Sequence, residues 1–418
     1  MKGMDATTHI DDLASFITAS PSSYHAAAET ARRLVEAGYT ALDETAEWHL
    51  SPGDRVVIVR DGAVIALAVP GRVVATTPFR ILGAHTDSPT FKLKPRPALA
   101  SNGWLQASVE VYGGPILASW FDRELEFAGR LVTRDGTVHL VRTGPLARIP
   151  HLAIHLDREV NSSFAPDRQR DVQPVLGVDG PEVLDYLARD AGIDAAEIAG
   201  HDVVAVDSAA PAQFGASLFA AARLDNLSSV HAGVTALLSF ERGDAIAVLA
   251  AFDHEELGSE SRSGASGPFL ADVLDRVARA LGIDLVRSLP GSWCLSADAG
   301  HAVHPNRPEK HDPTHRPIVG GGPLLKINAN QRYTTDAVGS ALWARTCAAA
   351  EVPWQPFVSN NAVPCGSTIG PLTATRIGIP TLDVGTPLLS MHSARELCHV
   401  DDPASLAAAA AVFFTGLV

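Results

Sequence analysis

Apolar positions at helical spacing run from about residue 12 to residue 37 and are interrupted by SPSSYH, a pattern that predicts two helices in succession. Residues 56–82 then form a strand-rich stretch that ends in the loop GAHTDSP. From about residue 91 to residue 210 the period shortens to two. LQASVEVYGG, LEFAGRLVTRDGTVHLVRTG and HDVVAVDSA alternate polar with apolar positions between Gly, Pro and Asp turns, which reads as a series of short β-strands. After Gln213 strand and helix alternate again, with helices expected over 226–240, 268–281 and 337–350 and a buried strand over the continuous apolar run 245–252. The final run LAAAAAVFFTGLV reads as a terminal helix packed on the body. The pattern predicts an α/β domain split between residues 1–90 and 213–418, with a mainly β domain, residues 91–212, inserted into it. There are no internal repeats and no low-complexity tract long enough to be a linker.

The chain has 418 residues, 46% of them hydrophobic and 19% charged. Such a length suits two domains or more, because single cores stop growing at roughly 250–300 residues. A net charge of −14 leaves no basic stripe to displace counterions, so nucleic acid and anionic membrane are excluded as expected partners. The four cysteines, Cys294, Cys347, Cys365 and Cys398, follow no paired spacing and are expected to be reduced residues of a cytoplasmic protein. MKGMDATTHIDD lacks the apolar core of a secretory signal. The last apolar run falls short of the ~20 residues that a membrane span needs.

Chemistry enters with the order His85, Asp225, Glu255-Glu256, Asp298, His392. Two cations about 3.5–4 Å apart need one carboxylate between them, a carboxylate and an imidazole to complete each, and a free carboxylate to move protons. Asp225 suits the bridge, His85, Asp298, Glu256 and His392 the terminal positions, and Glu255 the base. Each has a plainer reading. His85 follows an apolar run and could be an ordinary loop histidine, although Asp87, two residues on, could accept its other ring N–H. Asp225 could equally cap the helix expected after it. The run ending in Asp253, His254, Glu255 and Glu256 discriminates better, because ligands gather beyond the carboxyl ends of strands in open α/β sheets. WCLSADAGHAVHPN and PTLDVGTPLLSMHS repeat that design.

GAHTDSP, ASWFDREL, IPHLAIHL, RLDN, DHEELGSES, SADAGHAVHPN, LKINANQRYTTD, GSTIGP and SMHSARE together resemble the blocks of the M18 metallopeptidases, the aspartyl aminopeptidases. The resemblance extends from SPSSYHA to SMHSARE. It implies a zinc-peptidase-type α/β/α catalytic domain with an inserted, mainly β dimerisation domain, two zinc ions per subunit, and dimers that build a dodecamer. It implies zinc ligands at His85, Asp225, Glu256, Asp298 and His392, with Glu255 as general acid/base. It also implies substrate contacts at His301, Lys326 and Tyr333, and a histidine of HLAIH, His155 or else His151, that reaches a neighbouring subunit's site. The implied substrates are peptides with an N-terminal Asp or Glu. An overall charge of −14 would repel them, so the pocket needs a local cation; Lys326 is the candidate, its plainer reading being a surface lysine beside a strand. Other expectations are an aminopeptidase or deacylase of different specificity on the same metal core, and a non-catalytic scaffold, against which an intact Glu255 beside five intact ligands speaks.

Overall fold

The protein is described here by a computed structural model covering residues 6–417. What the sequence suggests for the first five residues and for Val418 lies outside the described residues. At the centre is a nine-stranded sheet in the order Thr40–Ala41, Arg55–Arg60, Ala63–Ala68, Ile246–Phe252, Phe79–His85, Trp293–Ala297, Thr381–Gly385, Leu324–Ile327 and Gln355–Val358. Phe79–His85 runs parallel to both Ile246–Phe252 and Trp293–Ala297, and Trp293–Ala297 parallel to Thr381–Gly385, so these four strands end on the same edge.

Two helical layers explain why these strands are apolar throughout rather than alternating. Every residue of Phe79–His85 and Ile246–Phe252 is buried. Leu82, Ala84, Leu249 and Ala251 face one layer, formed by helices Ala6–Ala19, Ser23–Glu36, Leu224–Leu238, Ala337–Ala350 and Asp401–Thr415. Ile81, Val248, Ala250 and Phe252 face the other, where helices Phe269–Leu281 and Ile369–Ile377 pack. A fully buried side chain such as Phe252 contributes roughly 1.5–3 kcal/mol, so the sheet faces carry much of the fold's stability. Gly385 is required by proximity: a Cβ there would stand 1.7 Å from the Asp298 carbonyl oxygen. That approach lets the strand ending at Gly385 lie against the residue that follows Trp293–Ala297.

The inserted region is a second sheet of seven strands, Thr90–Ser101, Trp104–Tyr112, Glu124–Thr133, Val138–Arg142, Ala147–Arg148, Val175–Gly177 and Ile198–Asp207. Ile198–Asp207 pairs with both Thr90–Ser101 and Glu124–Thr133, which closes the sheet into a barrel. Closure removes most of the free edges that such short alternating strands would otherwise leave unpaired. The insertion also carries one helix, Val183–Ala191. Its far boundary differs in detail from the reading of the sequence, because Ala212–Phe214 belongs to a small separate sheet with Leu218–Ala221 and Glu396–His399. The expected helices appear at Phe269–Leu281 and Ala337–Ala350, the latter at the expected bounds. The first helix starts by Ala6, ahead of the expected residue 12, and the last begins at Asp401, well before its alanine run. All four cysteines are free thiols. No helix among the described residues is long and apolar enough to cross a membrane.

Candidate metal centre and active site

Four strand-to-loop exits and one helix start converge beyond the carboxyl ends of the central strands. His85 is the last residue of Phe79–His85. Ile246–Phe252 empties through Asp253 and His254 into a single tight turn, Glu255–Leu257. Asp298 follows Trp293–Ala297, and His392 lies between Pro387–Leu388 and Glu396–His399. Asp225 stands where helix Leu224–Leu238 has not yet adopted helical angles, with φ −82° and ψ 103°.

The distances sort the candidates. His85 Nε2 lies 3.3 Å from Asp225 Oδ1, 3.6 Å from Asp298 Oδ1 and 3.9 Å from Glu255 Oε2. His392 Nε2 lies 3.4 Å from Asp225 Oδ2 and 3.5 Å from Glu256 Oε1. Asp225 thus turns one oxygen toward each imidazole and belongs to two groups, His85–Asp225–Asp298 and Asp225–Glu256–His392, whose potential ligand atoms lie within 4.8 Å of one another. Its carboxylate accepts no N–H of the helix, so the capping alternative does not describe it. Asp225 Oδ1 and Glu256 Oε1 are buried with no hydrogen-bond partner. Buried charges are paired or hold metal ions. A carboxylate-rich set with two orphaned oxygens turned toward imidazole nitrogens therefore fits cations, and the donor chemistry of imidazole and carboxylate suits zinc.

The electrostatics agree. Burial works against charge on the two imidazoles, yet Asp225, Asp298 and Asp87 hold His85 well above its usual pKa, and Asp225 and Glu256 raise His392 to about 10. Burial first, then the charges of Asp298, Asp225 and Asp87, lift Glu255 to about 7. Burial and Asp225 likewise raise Glu256. These are the responses of a crowded set of carboxylates in which positive charge is scarce.

Asp87 does more than the expectation: its Oδ1 stands 3.5 Å from His85 Nδ1, whose shorter contact, at 3.1 Å, is the Asp87 backbone carbonyl, and the carboxylate also accepts the amides of Glu255 (3.0 Å) and Glu256 (3.2 Å) and the hydroxyl of Tyr112 (2.9 Å). Burial in reach of two free N–H groups draws the charged oxygens there. Lys326 is not a surface lysine either. It is 2% exposed, donates to the Ala299 carbonyl at 2.7 Å, and lies 3.7 Å from Asp298 Oδ2 and 5.3 Å from the centre of the Tyr333 ring. His301 and Tyr333 line a cavity beside the centre together with His304, Lys310, His311, Phe357 and Met391. His151 and His155 form no hydrogen bond or ion pair with any of these residues among the described contacts. Reading the sequence missed Tyr112, the Gly114 carbonyl that stands 3.1 Å from His392 Nδ1, and Glu396, which accepts the amides of Asp225 and His392. Only the position of Glu396, four residues after His392 in SMHSARE, offered a signal.

A carboxylate set between two imidazoles at the open edge of an α/β sheet, with a further carboxylate near neutrality beside it, defines a metal-dependent hydrolase. The chain belongs to the M18 family: the family model described as aminopeptidase I zinc metalloprotease (M18) matches residues 16–414. It is a zinc-dependent metalloaminopeptidase of that family. A Streptomyces avermitilis protein called probable M18 family aminopeptidase 2 is 51% identical over 98% of both chains, and one of the same name from Pseudomonas aeruginosa is 42% identical over 96% of this chain and 97% of its own. Among solved structures, the chain in the structure entitled "Cryo-EM structure of the Ape4 and Nbr1 complex" superposes with a TM-score of 0.94 at 34% identity, covering 99% of this chain and 88% of that one. The S. cerevisiae mApe1 dodecamer gives 0.84 at 27%, covering 97% and 95%.

Proposed function

We propose that the protein removes an N-terminal acidic residue, Asp or Glu, from peptides at a centre of two zinc ions, and that it works as a homo-oligomer in the cytoplasm. Asp225 would be shared between the ions, with His85 and Asp298 completing one and Glu256 and His392 the other. The observation that carries this reading is the split of Asp225, one oxygen to each imidazole. Two zinc ions supply Lewis acidity and lower the pKa of water toward ~7.

The residues of the chain do the rest. Glu255, near neutrality and 3.9 Å from His85 Nε2, accepts a proton from the attacking water and returns it to the leaving amine. His301, at the cavity wall, donates toward the oxygen of the scissile carbonyl as it gains charge. The carboxylates around the centre hold the substrate's free α-ammonium, which confines cleavage to the first residue. Support for the acidic preference comes from the Lys310 ammonium at the cavity wall and from Lys326 beside Tyr333, while burial and the charge of Lys326 hold His301 below its usual pKa, so that it serves as a neutral donor. Phe357, Val363, Leu388 and Met391 make the remaining wall apolar and favour a second reading, an aminopeptidase for neutral side chains.

A panel of aminoacyl chromogenic substrates, assayed after zinc reconstitution, separates the two readings. Highest kcat/KM on Asp and Glu is expected, and Leu exceeding Asp would establish the second. In the same assay Glu255→Gln should keep both metals by elemental analysis and lose at least about 10²-fold in kcat, since it removes only proton transfer. Near-normal turnover with zinc bound would remove Glu255 from the role of base.

A further inference from the structure

We propose that Glu396 is a positioning residue, a carboxylate that touches no metal yet fixes the bridging ligand Asp225 and the terminal ligand His392 relative to each other. Its side chain is 2% exposed. One oxygen accepts the Asp225 amide at 2.9 Å and the other the His392 amide at 2.7 Å. Both oxygens are thereby engaged, and Glu396 belongs to none of the potential ligand groups.

Three features make those two bonds matter more than an ordinary pair. His392 has φ 67°, a left-handed conformation that a residue with a side chain holds only when its surroundings impose it. A short bond to its amide from a residue four positions on supplies that imposition. The backbone of Glu396 is itself anchored, because it pairs with Ala221 in the small sheet, two residues before Arg223 and the turn that presents Asp225. The chain segments bearing the two ligands are otherwise far apart in sequence, and this one side chain joins them. Asp87 does the same for another pair, gathering the amides of Glu255 and Glu256. Each of these two buried carboxylates thus fixes two residues of the proposed centre through their backbone.

This role rests on the two-metal reading of the site, and the experiment separates the fate of one from that of the other. Zinc is titrated calorimetrically into chelator-stripped protein. Glu396→Gln keeps the shape but turns an amide N–H₂ toward one of the two N–H donors. We expect both binding events to weaken, the one that His392 completes by about 10–100-fold, as loss of a partner that orients a ligand does. On a His392→Ala background the same substitution should cost less, because only its hold on Asp225 remains to be lost. Equal costs on both backgrounds, or wild-type affinities in Glu396→Gln, overturn the proposal. Fewer than two events in the wild-type protein would instead count against the two-metal reading. Hydrogen exchange of the metal-free proteins tests positioning without any metal: the amides of Asp225 and His392 should exchange faster in the variant while the central strands stay protected, and unchanged exchange at both overturns it. Should Glu396→Gln fail to fold, Glu396→Asp, which keeps the charge but is one methylene too short to span both amides, is measured in its place with the same expectations.

Discussion

Asp225 is the residue on which both halves of the centre depend. Replacing it by Asn keeps the shape and removes the charge that each imidazole faces, so Asp225→Asn is expected to weaken both zinc-binding events together. A helix cap would behave otherwise, costing about 1 kcal/mol of stability and no metal; two undiminished binding events in calorimetry would show that. Lys326 divides in a different way. Its ammonium lies against Ala299 and Asp298, so Lys326→Ala should lower kcat/KM on every substrate, and the further loss on Asp and Glu over Ala and Leu measures what it contributes to charge recognition. Equal losses on all four would leave only the contact with Asp298. The side chains gathered at the proposed centre were legible because His85, Glu255, Glu256 and Asp298 follow apolar runs that end in dense polar clusters. Tyr112, Gly114 and Glu396 were not, because they act on amides, carbonyls and a neighbouring carboxylate, and such partners carry no letter of their own in the sequence. The bond between His392 and Gly114 spans 278 positions.

At the scale of elements, the pattern of 3.6 and 2 residues located most of the long helices, missed the short ones Val183–Ala191 and Ile369–Ile377, and otherwise erred at ends. Helix Asp401–Thr415 opens on Asp401 and Asp402 ahead of its alanine run, where acidic side chains favour a helix start that an apolar periodicity does not register. The closure of the inserted strands into a barrel was not readable, since it depends on Ile198–Asp207 meeting two strands far upstream. One packing contact between elements has a pH signature. In the first helix His9 is buried against His231, its Nε2 unpartnered, while His231 Nε2 bonds Asp12, which Arg33 also engages. Burial, then the charge of His231, push His9 down to about 3, with Asp12 opposing. The folded protein therefore refuses a proton that the unfolded chain accepts below its ordinary value of 6.5. Stability should fall as pH drops from about 6.5 toward 3, by on the order of 2 kcal/mol at pH 5. His9→Leu should show a smaller decline in Tm between pH 7 and pH 5; an identical decline would place the acid sensitivity elsewhere.

For the whole molecule, the inserted barrel does two jobs at once. Inward, it lends Tyr112 and Gly114 to its own chain's centre. Outward, it presents Leu152, Ile154 and Leu156 at 64%, 46% and 76% exposure around the exposed His155, whereas His151 is tied to Asp122 and packed between Phe121 and Phe164. If one of the two histidines reaches a second copy as proposed, His155 is the more exposed, and the apolar residues beside it would supply contact area for that copy. Mixing Glu255→Gln subunits with His155→Phe subunits, each inactive alone, should restore part of the activity, because some interfaces then pair an intact base with an intact histidine. Mixtures that stay inactive after verified exchange would mean that each chain completes its own site. The scatter of the ligands along the chain also has a temporal side. His85 is made early and His392 some three hundred residues later, with the whole barrel between them. No fragment that stops before residue 392 therefore contains the full proposed set. With that set as the active centre, proteolytic competence would arrive only late in synthesis, after the barrel has been made.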